Sequence, residues 1–292
     1  MLKELTIESD FELPGMYSSY EMVPLHRFKN LESLRLAWNN ASIGWYMTAD
    51  LISLIKRCPD LRRLHLHRLY MQKNMYTDSA TNVLQELFAK TSLELEVLTV
   101  TEISPVLFRG GLSSFIPITS RLVVLEIRDA NAYHIPWTSK IPWAAVWLAC
   151  INQNVRLKSL SVSGIEQTIK PLFQYLLSFT GLEKLEIEIN VNIELYSEND
   201  AGLRFWEQVV PHHKDTLLEL QIIPKYVGDW CYGPSAAEAI ESCSRLTKLK
   251  VGVCNMDSSW ASQKICGRQQ ITDNTEFSAT AGRASDSIVS LS

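Results

Sequence analysis

Apolar residues recur along this chain in one frame, Leu-x-x-Leu-x-Leu, seen most plainly in Leu61-Arg62-Arg63-Leu64-His65-Leu66. The frame begins at Leu2, Leu31, Leu61, Leu95, Leu122, Leu157, Leu182, Leu217 and Leu246. Its fourth and sixth residues are Leu5/Ile7, Leu34/Leu36, Leu64/Leu66, Leu98/Val100, Leu125/Ile127, Leu160/Val162, Leu185/Ile187, Leu220/Ile222 and Leu249/Val251. Alternation of this kind has the period of a short strand with one buried face, and the recurrence predicts that such strands stack as a parallel sheet. The repeat length, about 30 residues, is long and uneven, so loops of unequal length are expected. The ninth position is Asn39, Asn190 or Cys254 in three frames, where a polar side chain would satisfy backbone groups as the chain turns. It is apolar in four others (Leu69, Ile103, Ala130, Ile165), and Asp10 and Lys225 depart from both patterns.

Helical spacing fills several of the return segments. Thr48 precedes an apolar run over Leu51 to Ile55 that Cys58-Pro59 ends, and Thr77-Asp78 precedes Val83, Leu84, Leu87 and Phe88. Pro142 opens a segment carrying Trp143, Val146, Trp147 and Ile151. Further helices are expected over residues 169–179, 200–210 and 235–243. No unit of this size buries its own apolar face, so neighbours must stack and the ends need capping. The first frame starts at Leu2 with no polar cap before it, and residues 13–28 contain no clear helix, which reads as an array cut at its amino end. Residues 255–292 are rich in Ser, Thr, Ala and Gln without a periodic apolar face. They are expected to be disordered or loosely attached, leaving the last strand frame, Leu246 to Val251, uncovered at a sheet edge. The domain reading is thus 1–254 for the repeats and 255–292 for a tail.

Composition narrows the function. Of 292 residues, 46% are hydrophobic and 21% charged, enough to build a large core. A net charge of -4 gives no general attraction to nucleic acid or to an anionic membrane. The amino-terminal residues lack the basic and apolar regions of a signal peptide, and the longest apolar run, near Trp143 to Ile151, is too short to span a bilayer. A cytoplasmic or nuclear protein follows as the expectation, with reduced, structural cysteines, since none of the six forms a C-x-x-C pair. No catalytic signature is present, neither G-x-S-x-G nor a phosphate-cradling glycine loop nor H-E-x-x-H, so the chain is read as a non-enzyme without cofactor or metal.

Two stretches carry a family resemblance. Cys58-Pro59-Asp60-Leu61-Arg62-Arg63-Leu64-His65-Leu66 resembles the junction of cysteine-containing leucine-rich repeats, and Cys243-Ser244-Arg245-Leu246-Thr247-Lys248-Leu249-Lys250-Val251-Gly252-Val253-Cys254 matches the same pattern with cysteine at both ends. These units look like the repeat region of F-box/leucine-rich-repeat proteins, especially the irregular, tryptophan-containing forms of filamentous fungi. The resemblance implies an α/β leucine-rich-repeat solenoid, an irregular horseshoe of about nine strand-helix units with its parallel sheet on the concave face. It also implies a role in selecting a protein target for a ubiquitin ligase. In that family an amino-terminal F-box docks on a cullin-ligase adaptor. Here Leu13-Pro14 is a lone Leu-Pro without the helices that should follow, so an adaptor is expected as partner only where an F-box lies upstream. A stand-alone scaffold or inhibitor is the other reading.

The third, fifth and seventh frame positions project from the expected concave face. They place Arg35, Arg63, His65 and His67 together with Arg68 at the rim, and further along Glu126, Arg128, Glu186 and Glu188, a basic end beside an acidic middle. The basic cluster either receives an acidic or phosphorylated protein segment or is a solvated polar face. Trp38 is either an interface anchor or packs over the turn. His65 and His67 share a face at two-residue spacing, but no third metal ligand has matching spacing. His212-His213, after Pro211 at a helix end, reads as a solvated cap on exposed carbonyls. Trp143 and Trp147, four apart, share a helix face suited to core packing, while Trp137 falls in a loop. The binding face is assigned to Arg35, Trp38, Arg63, His65, His67, Arg68, Glu126 and Arg128, in a monomer that engages a protein partner.

Overall fold

The computed structural model describes residues 2–9, 24–38, 45–67, 93–101, 121–128, 143–163, 169–189, 200–224, 228–253 and 267–271. The chain divides into two compact units, Met1–Val155 and Arg156–Ser292. Both are α/β with parallel strands laid down in sequence order.

The first unit contains β1 (Glu4–Ser9), β2 (Ser33–Trp38), β3 (Arg63–His67), β4 (Val97–Thr101) and β5 (Val124–Arg128), each paired in parallel with the next. The register keeps the frame intact across the strands, so that Leu5, Leu34, Leu64, Leu98 and Leu125 form one row and Ile7, Leu36, Leu66, Val100 and Ile127 another. A one-residue slip would turn every one of these side chains to the opposite face. The connecting helices described are α1 (Trp45–Lys56) and α2 (Trp143–Asn152), with a 3₁₀ turn at Leu25–Arg27. Cys58 and Pro59 follow α1 as the sequence predicts, and the helix starts earlier than Thr48. In α2, Val146, Trp147 and Cys150 are buried, which bears out core packing for Trp147; the side chain of Trp143 lies outside the described residues.

In the second unit β6 (Ser159–Ser163), β7 (Lys184–Ile189), β8 (Glu219–Pro224) and β9 (Lys248–Val253) repeat the arrangement. At seven frames the carbonyl of the second residue accepts two backbone N–H groups from the entry to the next strand. Lys3 accepts from Glu32 and Ser33, Glu32 from Arg62 and Arg63, Arg62 from Glu96 and Val97, Glu96 from Val123 and Val124, and the same holds at Lys158, Glu183 and Leu218. A single carbonyl at a fixed frame position thus fixes these seven strand entries, a structural repeat beyond the apolar pattern. The ninth frame positions all lie outside the described residues, as does the helix expected after Thr77.

A tenth strand, β10 (Gly267–Ile271), pairs antiparallel with β9. It falls within the stretch expected to lack regular structure, and it closes the edge that the apolar pattern left open. Gly-Arg-Gln-Gln-Ile has no alternating apolar face, so its pairing rests on backbone groups that the pattern does not report.

Helices return along the second unit as α3 (Ile169–Leu177), α4 (Ala201–Arg204), a π segment (Phe205–Val209), α5 (Val210–His212) and α6 (Pro234–Glu241). The widened turn sits just before Pro211, which lacks the N–H an α-helix would use there; the Val210 N–H reaches back to the carbonyl of Phe205. Phe205 and Trp206 are fully buried, and Trp230 packs its ring 5.3 Å from that of Phe205. Trp206 Nε1 donates to the Asp229 carbonyl at 3.0 Å. Gly202 permits this approach, because a Cβ there would meet the Asp229 carbonyl carbon at 2.5 Å.

Candidate functional site

The ladder face of the first unit is built from the third, fifth and seventh frame positions. In register, the third column runs Glu4, Ser33, Arg63, Val97, Val124, the fifth Thr6, Arg35, His65, Thr99, Glu126, and the seventh Glu8, Ala37, His67, Thr101, Arg128. Six of the eight residues assigned to binding therefore lie together on this face. Trp38 ends β2 opposite Ser9, with its side chain outside the described residues, and Arg68 is itself outside them.

The charge pattern differs from the one expected. Arg35 Nε lies 3.1 Å from Glu8 Oε1, and Arg63 reaches across Ser33 to bond Glu4. Arg128 Nε pairs with Glu126 at 2.8 Å. The basic end is consequently a ladder of mixed charge, because β1 contributes Glu4 in the column of Arg63 and Glu8 in the column beside that of Arg35. Those glutamates were legible in the first frame, two residues after Leu2 and one after Ile7. Both partners of the Arg35–Glu8 pair are about half exposed, and exposed pairs of this kind contribute about 0–1 kcal/mol, so an incoming carboxylate can displace them.

His65 sits half-buried between Arg35 and Thr99 in the fifth column. Burial, followed by the Arg35 charge, lowers its pKa, with Glu126 opposing. The neutral form of the ring is thereby favoured. His67 Nδ1 is 2.7 Å from Thr101 Oγ1. Among the described residues no three His, Cys, Asp or Glu side chains converge as metal ligands would.

In the second unit much of the fifth column is closed, while Lys184, Glu188, Glu219, Lys248 and Lys250 stay partly exposed. Ser161, Glu186 and Gln221 occupy successive fifth positions and are 4%, 7% and 7% exposed; Ser163, in the seventh column, is buried with them. Glu186, expected to project into solvent as part of an acidic middle, is thus shielded, whereas Glu126 and Glu188 are partly exposed. Frame position decides the side of the sheet a residue occupies, not whether that side is solvated. The third column here is Ser159, Lys184, Glu219, Lys248, in which Glu219 lies between two lysines, 3.5 Å from Lys184 Nζ and 3.4 Å from Lys248 Nζ.

His212 and His213 cap a helix other than their own. His213 Nε2 is 2.9 Å from the Leu176 carbonyl and His212 Nε2 is 2.9 Å from that of Phe179, both at the carboxyl end of α3. A carbonyl only accepts, so each Nε2 carries the proton. The expected solvated cap is corrected at His213, which is 2% exposed and packs its ring 5.5 Å from Phe179. Its Nδ1 is buried with no hydrogen-bond partner among the described residues. Desolvation, with the neighbouring His212 charge, pushes its pKa down to about 4 against the weaker opposing pull of the Leu176 carbonyl.

Cys58, Cys150, Cys231 and Cys243 are free and buried, as expected of structural thiols. Burial raises the pKa of Cys58 and Cys243 and pushes that of Cys150 up to about 12, so these sulfurs stay protonated and unreactive. Among the described residues no helix is long and apolar enough to cross a membrane. No protein-family model, no curated protein and no solved structure matches the chain.

Proposed function

We propose that this chain is a leucine-rich-repeat solenoid that binds a protein partner through the ladder face of its first unit. In this reading it is a non-catalytic module, the target-recognition part of an F-box-like ubiquitin-ligase receptor. One contrast carries the choice of face. Arg35 is exposed and His65, Thr99 and Glu126 partly so, whereas the equivalent Ser161, Glu186 and Gln221 are buried and Lys250 alone is partly exposed. Charged groups of both signs, held by exchangeable pairs on a rigid sheet, suit a protein surface with complementary carboxylate and basic groups better than a polyanion. The lone Leu13-Pro14, without a following F-box pattern, favours a stand-alone scaffold as the second reading.

The test is affinity purification of the chain and of the triple variant Arg35→Ala, Arg63→Ala, His65→Ala, with mass spectrometry of the retained proteins. All three residues project from the sheet, so circular dichroism should be unchanged while recovery of a true partner falls at least tenfold. Undiminished recovery removes these residues from the interface. A cullin-ligase adaptor among the retained proteins supports the receptor reading, and its absence from an extended chain that includes the upstream coding region favours the scaffold.

A further inference from the structure

The sheet of the second unit carries polar residues where solvent does not reach. β6 reads Ser159-Leu160-Ser161-Val162-Ser163 and β7 Lys184-Leu185-Glu186-Ile187-Glu188-Ile189. Their parallel register sets Ser161 beside Glu186 and Ser163 beside Glu188 on the ladder side. Ser161, Ser163 and Glu186 are buried there, while Glu188 is partly exposed and marks the side of entry. Ser161 is only 4% exposed, and its Oγ has no hydrogen-bond partner among the described residues. A hydroxyl stripped of water and left unpaired is costly, so such a group points to a ligand that satisfies it.

Charge narrows the ligand. Glu186 is engaged within the chain, but an ionised carboxylate offers about four lone-pair sites and accepts from a ligand as well. The nearby lysines are drawn elsewhere: Lys184, two residues before Glu186, and Lys248 both pair with Glu219. Among the described residues no cation pairs with Glu188. Adjacent strands lie about 4.8 Å apart and residues two apart on a strand about 6.6 Å, so Ser161, Glu186 and Glu188 mark the corners of a small triangle of acceptors. A guanidinium is planar, permanently charged and carries five N–H donors around its rim with no acceptor, which suits three acceptors better than the compact ammonium of lysine. We propose that the ladder side of β6 and β7 binds a guanidinium group, with Glu186 and Glu188 accepting along its two forks and Ser161 Oγ accepting a remaining N–H. This site lies wholly in the second unit and does not depend on the protein-binding reading of the first.

The experiment titrates the full, isotopically labelled chain with N-acetyl-arginine amide and, separately, with N-acetyl-citrulline amide, in which a neutral urea replaces the guanidinium at nearly the same shape. The expected result is saturable movement of the Ser161, Ser163, Glu186 and Glu188 amide signals with the arginine derivative, and at least tenfold weaker binding of the citrulline one. Agmatine, a free guanidino compound, is the third arm. Tighter binding of the blocked arginine supports an arginine side chain of a polypeptide as the source, and tighter binding of agmatine supports a small guanidino compound. Glu188→Gln, at a partly exposed position, should weaken arginine binding at least tenfold with an unchanged dichroism spectrum. Ser161→Ala should weaken it several-fold without lowering the Tm of the ligand-free chain, since the hydroxyl has no partner to lose among the described residues. Absence of saturation, equal binding of the arginine and citrulline derivatives, or undiminished binding by the Glu188→Gln chain overturns the proposal. A lower Tm for ligand-free Ser161→Ala also overturns it, by showing the hydroxyl already satisfied by buried water. The same signal movements produced by calcium chloride at lower concentration would make this a metal site and overturn the guanidinium assignment.

Discussion

Replacing Leu64 by Asp should abolish the cooperative unfolding transition of the first unit. Leu64 is fully buried, and its row neighbours Leu34 and Leu98 are buried to the same degree. Truncating a leucine in such a place costs about 3–5 kcal/mol, and an unpaired carboxylate adds several more. The sum is comparable to the whole stability of an ordinary domain, about 5–15 kcal/mol. Because each strand contacts only its neighbours, a break at β3 also separates β2 from β4. By contrast Arg63→Ala, one residue earlier and on the ladder side, should cost about 1 kcal/mol or less. Thermal melts of the two variants distinguish the buried row from the displayed one; equal losses would refute the frame.

The second large effect is on pH dependence. The His213 pKa lies at about 4 in the folded chain, against about 6.5 for the unfolded side chain. Above pH 6.5 both states are neutral and the group confers no pH dependence. As pH falls below 6.5 the unfolded chain takes up a proton that the native chain refuses, so stability declines by up to about 3 kcal/mol and levels off below 4. His213→Phe keeps a ring against Phe179 and loses the hydrogen bond to Leu176, so it should be less stable than the natural chain at pH 7.5 by about 1 kcal/mol. Urea unfolding at pH 7.5, 6 and 4.5 should show this gap closing or reversing as the pH drops. Other carboxylates titrate in both proteins, so the difference isolates His213; parallel curves would show that the buried imidazole is not the sensor.

Much of this architecture was legible in the apolar frame. The rows at Leu64 and Leu66 stand where the alternation puts them, since a strand with one buried face must alternate. The helices that carry Leu51 to Ile55, follow Pro142 and begin at Ile169 are present where their apolar spacing puts them, although the first starts ahead of Thr48. What the frame did not contain was tertiary. Nothing in Gly267 to Ile271 announces β10, whose pairing uses backbone alone. Glu186 occupies a ladder position like that of His65, and its burial depends on surroundings that no local pattern encodes. The arginine pairs could have been anticipated from Glu4 and Glu8 once the first frame was laid beside the second. His213 was correctly placed at a helix end, but the carbonyl it bonds belongs to a helix 37 residues earlier in the chain.

The central claim, that the ladder of the first unit is the binding face, is tested most directly by photo-crosslinking from two sites within that unit. A benzophenone side chain at Thr99 lies in the middle of the ladder, and one at Ala145 lies on the exposed side of α2. The account predicts that a partner retained by the chain crosslinks to the Thr99 probe and not to the Ala145 probe. Crosslinking from Ala145 alone would place the interface on the helical side and contradict it.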